Sequence, residues 1–179
     1  MRGKVFSALL HRLERHPSKL FMRLQLQILW NLTAKAFDAP GRQIWFLPYE
    51  RALEAYAAFT KECMASRNAN PQRLYHCAFA VGSRIRRISG FREGQDLERL
   101  VFFLYRNLKI EMKGQLPGEI TVSKCYFSAG YTPQQCRWMS ALDSGIIGGI
   151  WGGGRLEFTQ RLTEGCTQCK ACFTGGQIE

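Results

Sequence analysis

The chain predicts an α+β fold, in which a helical N-terminal half is followed by an antiparallel sheet that helices cover. Two observations lead to this prediction. Apolar residues recur at helical spacing through residues 5–104, and beyond residue 108 short segments rich in β-forming residues replace them. The order of the later elements is strand, strand, helix, strand, strand, which is typical of an antiparallel sheet packed against helices.

Five helices are predicted in the N-terminal half. His16-Pro17 separates the first two, residues 38–41 form a turn, and Pro48 suits the first position of the third helix. The apolar faces of the five helices run over residues 5–13, 20–32, 53–60, 74–88 and 97–104.

The C-terminal half alternates strands with one helix. Residues 109–113 and 120–127 form a hairpin around a turn at 115–118, and the later strands lie at 155–162 and 169–174. Thr132-Pro133 begins the intervening helix, which runs to about Ile150. Two glycine runs, 148–149 and 152–154, are interpreted as helix termination and a tight turn. They follow a helix and precede a strand, the reverse of the order in a phosphate-binding loop.

Length and composition predict a single domain over residues 1–179. The chain has 179 residues, of which 46% are hydrophobic, enough for one core. We expect residues 1–37 to form a helical extension. No apolar run is long enough to span a bilayer, and no cleavage site follows a compact hydrophobic stretch. The seven cysteines are then best interpreted as reduced thiols, metal ligands or redox groups, which predicts a cytoplasmic protein.

The excess of positive over negative charge lies entirely in the N-terminal half. Residues 1–92 hold 16 Lys or Arg against 5 Asp or Glu, whereas residues 93–179 hold 9 of each. These basic residues alternate with core positions and form no recognised reading motif, so we expect no specific binding to nucleic acid. A solvated basic face, an anionic membrane surface and an acidic partner all remain compatible with the pattern.

Four residues share one face of the predicted helix after Pro133. Cys136, Ser140, Asp143 and Ile147 are spaced by three or four. Asp143 stands out because burying an unpaired carboxylate is strongly unfavourable. It therefore needs either a structural partner, such as Arg137 or Arg161, or a ligand in a cleft.

Two thiols are candidate catalytic groups. Cys125 ends a strand and Cys136 begins a helix, so a short loop can bring them together. Either is a nucleophile if a nearby cation or helix N-terminus lowers its pKa, and an inert buried residue otherwise. His11, His16 and His76 all lie in the helical half, so the sequence indicates no Cys/His dyad.

Three further cysteines, Cys166, Cys169 and Cys172, form a Cys-x2-Cys-x2-Cys run. With Cys125 or Cys136 as a fourth ligand, such thiolates can hold zinc or an iron–sulfur cluster. On a straight strand, however, Cys169 and Cys172 point to opposite faces. We expect no resident cofactor, with zinc or an iron–sulfur cluster as the alternative.

Residues 108–174 contain an ordered series of motifs: Cys125-Tyr126-Phe127, Tyr131-Thr132-Pro133, Cys136, Asp143, the run from Leu156 to Gly165, and Cys169. This series resembles the L-2-amino-thiazoline-4-carboxylic acid hydrolase family. A weaker similarity extends to 4-vinyl reductase domains, which bind small molecules.

The resemblance implies a hydrolase that opens 2-amino-thiazoline-4-carboxylate to an N-carbamoyl amino acid. In that chemistry Asp143 would pair with the amidinium, and Cys125 or Cys136 would act as nucleophile or general acid. Arg137 or Arg161 would hold the substrate carboxylate, and Ser140 would lie in the substrate-binding site. The alternative class is a non-enzymatic module that binds a small molecule, a metal or an iron–sulfur cluster.

Overall fold

The computed structural model describes residues 2–16, 18–65, 70–91 and 94–175. Within these ranges the chain forms six α-helices and a four-stranded sheet, so the predicted α+β class is confirmed. The helices are α1 (Arg2–Arg15), α2 (Lys19–Phe37), α3 (Tyr49–Ala65), α4 (Pro71–Ser89), α5 (Gly94–Arg106) and α6 (Pro133–Trp151). The strands are β1 (Ile110–Gly114), β2 (Gly118–Cys125), β3 (Gly154–Gln160) and β4 (Cys169–Gly175).

All strand pairings in the sheet are antiparallel, in the order β1-β2-β4-β3. The two central strands place Ile120 opposite Ala171, and Leu156 of β3 lies opposite Phe173. On β4, Cys169, Ala171 and Phe173 are buried and the residues between them are exposed. One face of the sheet therefore carries the core.

Side-chain caps define α6, as its sequence predicts. The Thr132 hydroxyl accepts a hydrogen bond from the Gln135 amide at 3.2 Å, and the Gln135 side chain accepts one from the Thr132 amide at 3.0 Å. This capping box satisfies two amides that the first turn leaves free. Gly152 ends the helix with a φ of 90°, a left-handed conformation that glycine adopts without strain.

The glycines inside α6 permit a close crossing with α4. A Cβ built on Gly149 would lie 2.7 Å from the Ser83 nitrogen and closer still to the Phe79 carbonyl oxygen. A Cβ on Gly145 would lie 2.5 Å from the Tyr75 carbonyl oxygen. The interpretation of residues 148–149 as helix termination was therefore wrong. These two residues lie within α6, and Gly149 lets the backbones of α4 and α6 touch.

One hydrophobic cluster unites the helices and the sheet. The segment 1–37, expected to be a helical extension, contributes Leu10, Leu26 and Trp30 to this cluster. The Trp30 ring stacks on Phe59 of α3 with centroids 4.0 Å apart. Among the residues that the structure describes, none of the helices has the length and apolar character needed to cross a membrane.

Candidate functional site

Asp143 on α6 is the centre of the candidate site. The Tyr105 hydroxyl of α5 donates a hydrogen bond of 2.8 Å to its carboxylate. Asp143 is half-buried and lines an apolar groove between the helices, and this desolvation raises its pKa to about 6, although the Tyr105 hydrogen bond and the charge of Arg161 act in the opposite direction. A carboxyl group with such a pKa can accept or release a proton near neutral pH.

Three thiols lie within electrostatic reach of Asp143. Cys125 stands at the end of β2, Cys136 in the first turns of α6 and Cys169 at the start of β4. The Asp143 charge contributes to raising the pKa of each one. The structure thus brings together the three predicted catalytic residues, Asp143, Cys125 and Cys136, and adds Cys169 to them.

The thiols are not activated as nucleophiles. Burial raises the pKa of Cys125 to about 12, even though the backbone near Phe127 and Ser128 partly offsets this. Burial also raises the pKa of Cys136 and of Cys169. Because the thiolate is the reactive form, protonated thiols at neutral pH do not meet the condition set for a nucleophilic Cys125 or Cys136.

Arg161 supplies the cation of this cluster. It follows β3, its Nη2 donates to the Ser140 hydroxyl at 3.4 Å, and its guanidinium lies 4.8 Å from the Phe158 ring centroid. Its Nε is buried and has no hydrogen-bond partner among the described residues. The guanidinium as a whole has no acidic partner in the same part of the chain. Arg161 lies near enough to lower the pKa of Asp143.

Ser140 holds Arg161 in place. Its hydroxyl donates to the Cys136 carbonyl oxygen at 3.0 Å and accepts from Arg161. The predicted substrate-binding serine therefore acts on the arginine in this structure. The nearby Thr163 hydroxyl is buried and lies against Cys136, where its contact with the thiol lowers the Cys136 pKa and so partly offsets the effect of burial.

Arg137 lies outside the Asp143 cluster. Its Nε and Nη2 are each 2.8 Å from Glu164 Oε1, so an exposed ion pair occupies the guanidinium. Arg137 also lines a surface cleft of about 410 Å³ with Ser140, Ser144 and Arg155. Of the two arginines predicted to hold a carboxylate, only Arg161 is free of an acidic partner in the described residues.

The terminal cysteines do not converge on a shared metal position. Cys169 is buried and Cys172 exposed on opposite faces of β4, while Cys166 precedes the strand. Over residues 2–16, 18–65, 70–91 and 94–175, no three His, Cys, Asp or Glu side chains are arranged to hold a metal ion. The geometry of β4 thus separates the sulfurs that the sequence spacing had suggested as joint ligands.

Sequence reasoning missed three tyrosines around Asp143. Besides Tyr105, the Tyr56 hydroxyl lies 3.2 Å from the Thr33 hydroxyl, and the Tyr131 hydroxyl lies 2.5 Å from that of Thr60. Burial raises the pKa of all three, and the Asp143 charge adds to the effect. Tyr56 had been assigned to an apolar helical face, and its polar end gave no signal of its own in the sequence.

Comparison with known proteins yields no relative from which a function can be transferred. No protein-family model, no curated protein and no solved structure matches this chain. The fold and the site define an α+β protein whose helices and sheet enclose a carboxyl group, neutral thiols and one arginine without an acidic partner in the described chain. Its function must be argued from those groups.

Proposed function

We propose that this protein is a hydrolase that opens a small cyclic amidine, such as 2-amino-thiazoline-4-carboxylate, to an N-carbamoyl amino acid. The observation that carries this proposal is that a desolvated Asp143, whose pKa is raised to about 6, lies within electrostatic reach of Arg161. The reaction needs an anion for the amidinium, a proton acceptor for water and a cation for the carboxylate. These groups satisfy all three needs.

Asp143 is the candidate for the first two roles. As a carboxylate it would pair with the amidinium, which draws electrons from the ring carbon between nitrogen and sulfur. It would then accept a proton from the water that adds to this carbon. The carbon–sulfur bond then breaks, and the leaving sulfur takes that proton back from Asp143. The new hydroxyl loses its own proton to solvent as the carbonyl group forms, which balances the proton that the amidinium brought and gives N-carbamoyl cysteine. A group with a pKa near 6 suits both proton transfers at neutral pH.

Arg161 is the candidate for binding the substrate carboxylate. A guanidinium presents several N–H donors in one plane, and a carboxylate can accept two of them at once. Ser140 and the Phe158 ring fix the Arg161 side chain from two sides. A preorganised cation loses less entropy when it binds its ligand.

The thiols would line the site without reacting. With a pKa of about 12, Cys125 is too weak an acid to protonate a departing thiolate better than Asp143 does. Neutral thiols also bring no negative charge that would compete with Asp143 for the amidinium. They would act as small polarizable neighbours of Asp143.

Turnover of 2-amino-thiazoline-4-carboxylate, followed by mass-spectrometric detection of N-carbamoyl cysteine, tests the proposal. Arg161→Gln should raise KM about 10- to 100-fold, as expected when a charge-assisted contact is lost. Arg137→Gln removes an equal charge from the neighbouring ion pair and should leave KM within about twofold.

Two results would contradict the proposal. A natural protein that does not consume the substrate is not this hydrolase, and one that binds the substrate without turnover is a binding module instead. Equal KM effects of the Arg161 and Arg137 variants would remove Arg161 from the substrate site.

A further inference from the structure

The helices leave an apolar groove on the surface, between the basic N-terminal helices and α5 and α6. Parts of α1, α2, α4, α5 and α6 enclose it; it holds about 300 Å³, and nearly all of its exposed lining surface is apolar, although Tyr105 and Asp143 of the candidate site are among the lining residues. Three aliphatic residues of its rim are exposed to an unusual degree, Leu24 at 44%, Ile28 at 50% and Ile88 at 58%. Contiguous exposed apolar surface of this kind is typical of an interaction site.

Further exposed apolar side chains lie on α2 and on the loop that follows it. Leu20 is 49% exposed and lies one turn before Leu24 on the same side of the helix. Trp45 and Phe46 are exposed and contact each other edge to face. The Gln27 side chain fixes this loop beside α2, because its oxygen accepts from the Ile44 amide at 2.6 Å and from the Trp45 amide at 3.2 Å.

Cations border the same surface. Arg84 lies one turn before Ile88 on α4, Arg87 is its immediate neighbour, and Lys35 lies two turns after Ile28 on α2. All three are exposed, and none has an acidic partner in the described part of the chain. They belong to the half that holds 16 basic against 5 acidic residues.

We propose that this face, the apolar groove with its rim and its bordering cations, binds reversibly to the surface of an anionic lipid membrane. Leu24, Ile28 and Ile88 insert among the acyl chains, and the cations attract the headgroups from outside. An acyl chain brings no hydrogen-bonding groups, which suits a lining with almost no polar atoms. Exposed Trp45 adds a side chain that favours the boundary between headgroups and acyl chains.

Electrostatics favour a membrane over a second copy of this chain. A symmetric pairing through this face would bring two basic surfaces together, and like charges repel. The cations are spread over separate helices and do not converge on one point. Such a distribution matches a continuous anionic surface better than a single acidic side chain.

Co-sedimentation of the full chain with vesicles tests the proposal. Binding is expected to vesicles that contain phosphatidylglycerol, to be much weaker with phosphatidylcholine alone, and to fall as salt rises. Ile28→Asp with Ile88→Asp should reduce binding to background. Arg84→Gln with Arg87→Gln should weaken it about thirtyfold. The matched control, Lys113→Gln with Lys170→Gln, removes two exposed charges from the sheet and should change binding less than about threefold.

Circular dichroism must first show that each variant is folded. Failure of the natural protein to prefer anionic vesicles would overturn the proposal. Unchanged binding of the folded Ile28→Asp, Ile88→Asp variant would also overturn it. If the natural protein sediments as a dimer and binds no vesicles, and the Ile28→Asp, Ile88→Asp variant sediments as a monomer, the face belongs to a second copy of this chain instead. None of these outcomes depends on the hydrolase activity.

Discussion

The Tyr105 hydroxyl on α5 donates a 2.8 Å hydrogen bond to the carboxylate of Asp143 on α6. This contact joins two helices whose apolar faces pack in the same core, and it leaves a titratable group inside protein. The hydrogen bond favours the ionised form, yet desolvation outweighs it and the pKa rises to about 6. The carboxyl group thus changes its charge close to physiological pH.

Asp143→Asn should be more stable than the natural protein at pH 7. The pKa of Asp143 is about 6 in the folded chain, against an ordinary value of 3.8 for aspartate, so the folded state binds more protons between these values. The cost of ionisation is absent below pH 3.8 and complete above about pH 6. Asparagine carries no charge and therefore no such cost. The gain in free energy of unfolding should be at most about 3 kcal/mol at pH 7 and should be nearly lost at about pH 4. Denaturant unfolding at several pH values measures it.

Asp38→Asn is a control, because its effect on stability should have the opposite sign to that of Asp143→Asn. The Arg73 side chain bonds the exposed Asp38 carboxylate and lowers its pKa. Its contribution is therefore present at neutral pH and is lost as the pH falls through the lowered pKa. A stability difference between Asp143→Asn and the natural chain that did not vary with pH would disprove the assigned pKa.

Helical periodicity and capping explain which parts of the site the sequence could predict. The face that Cys136, Ser140 and Asp143 share follows from a period of 3.6 residues, and Thr132 with Gly152 marks the helix ends. These are local properties, so neighbouring residues determine them. The positions of the four strands along the chain likewise follow from alternation and turn residues.

The remaining features depend on contacts between distant segments. Tyr105 reaches Asp143 only when α5 packs on α6, and the apolar pattern that predicted α5 ended one residue earlier, at Leu104. The choice between Arg137 and Arg161 depended on where Glu164 lies, which spacing does not determine. The role of Gly149 could not be predicted without knowing which helix crosses α6 there, because a glycine at a crossing and a glycine at a helix end look alike in sequence.

Cys169→Ser should destabilise the fold by about 1–3 kcal/mol, whereas Cys166→Ser should cost less than about 0.5 kcal/mol. Cys169 is 7% exposed and accepts a hydrogen bond from the Leu162 amide at 3.4 Å. A hydroxyl placed there is a poor substitute for a small apolar thiol. Cys166 is only half-buried. Thermal melting with and without a chelator measures both effects, and equal, chelator-sensitive losses would indicate shared metal ligation.

Gly149→Ala should destabilise the protein by about 2–3 kcal/mol, although alanine is the better helix former by about 1 kcal/mol. The added methyl group would meet the α4 backbone, which cannot move aside without disturbing the whole crossing. Gly41→Ala is the control, since a Cβ there meets nothing within 4 Å. Similar melting temperatures for the two variants would show that the helices do not cross as closely as the structure has them.

Turnover of 2-amino-thiazoline-4-carboxylate by Asp143→Asn is the most direct test of the proposed chemistry. Asparagine keeps the shape of the side chain and an oxygen for the Tyr105 hydrogen bond, but it can neither pair with an amidinium nor accept the proton of water. The account predicts that kcat falls by at least about a hundredfold while the fold is retained. A folded Asp143→Asn variant with the turnover of the natural protein would contradict it.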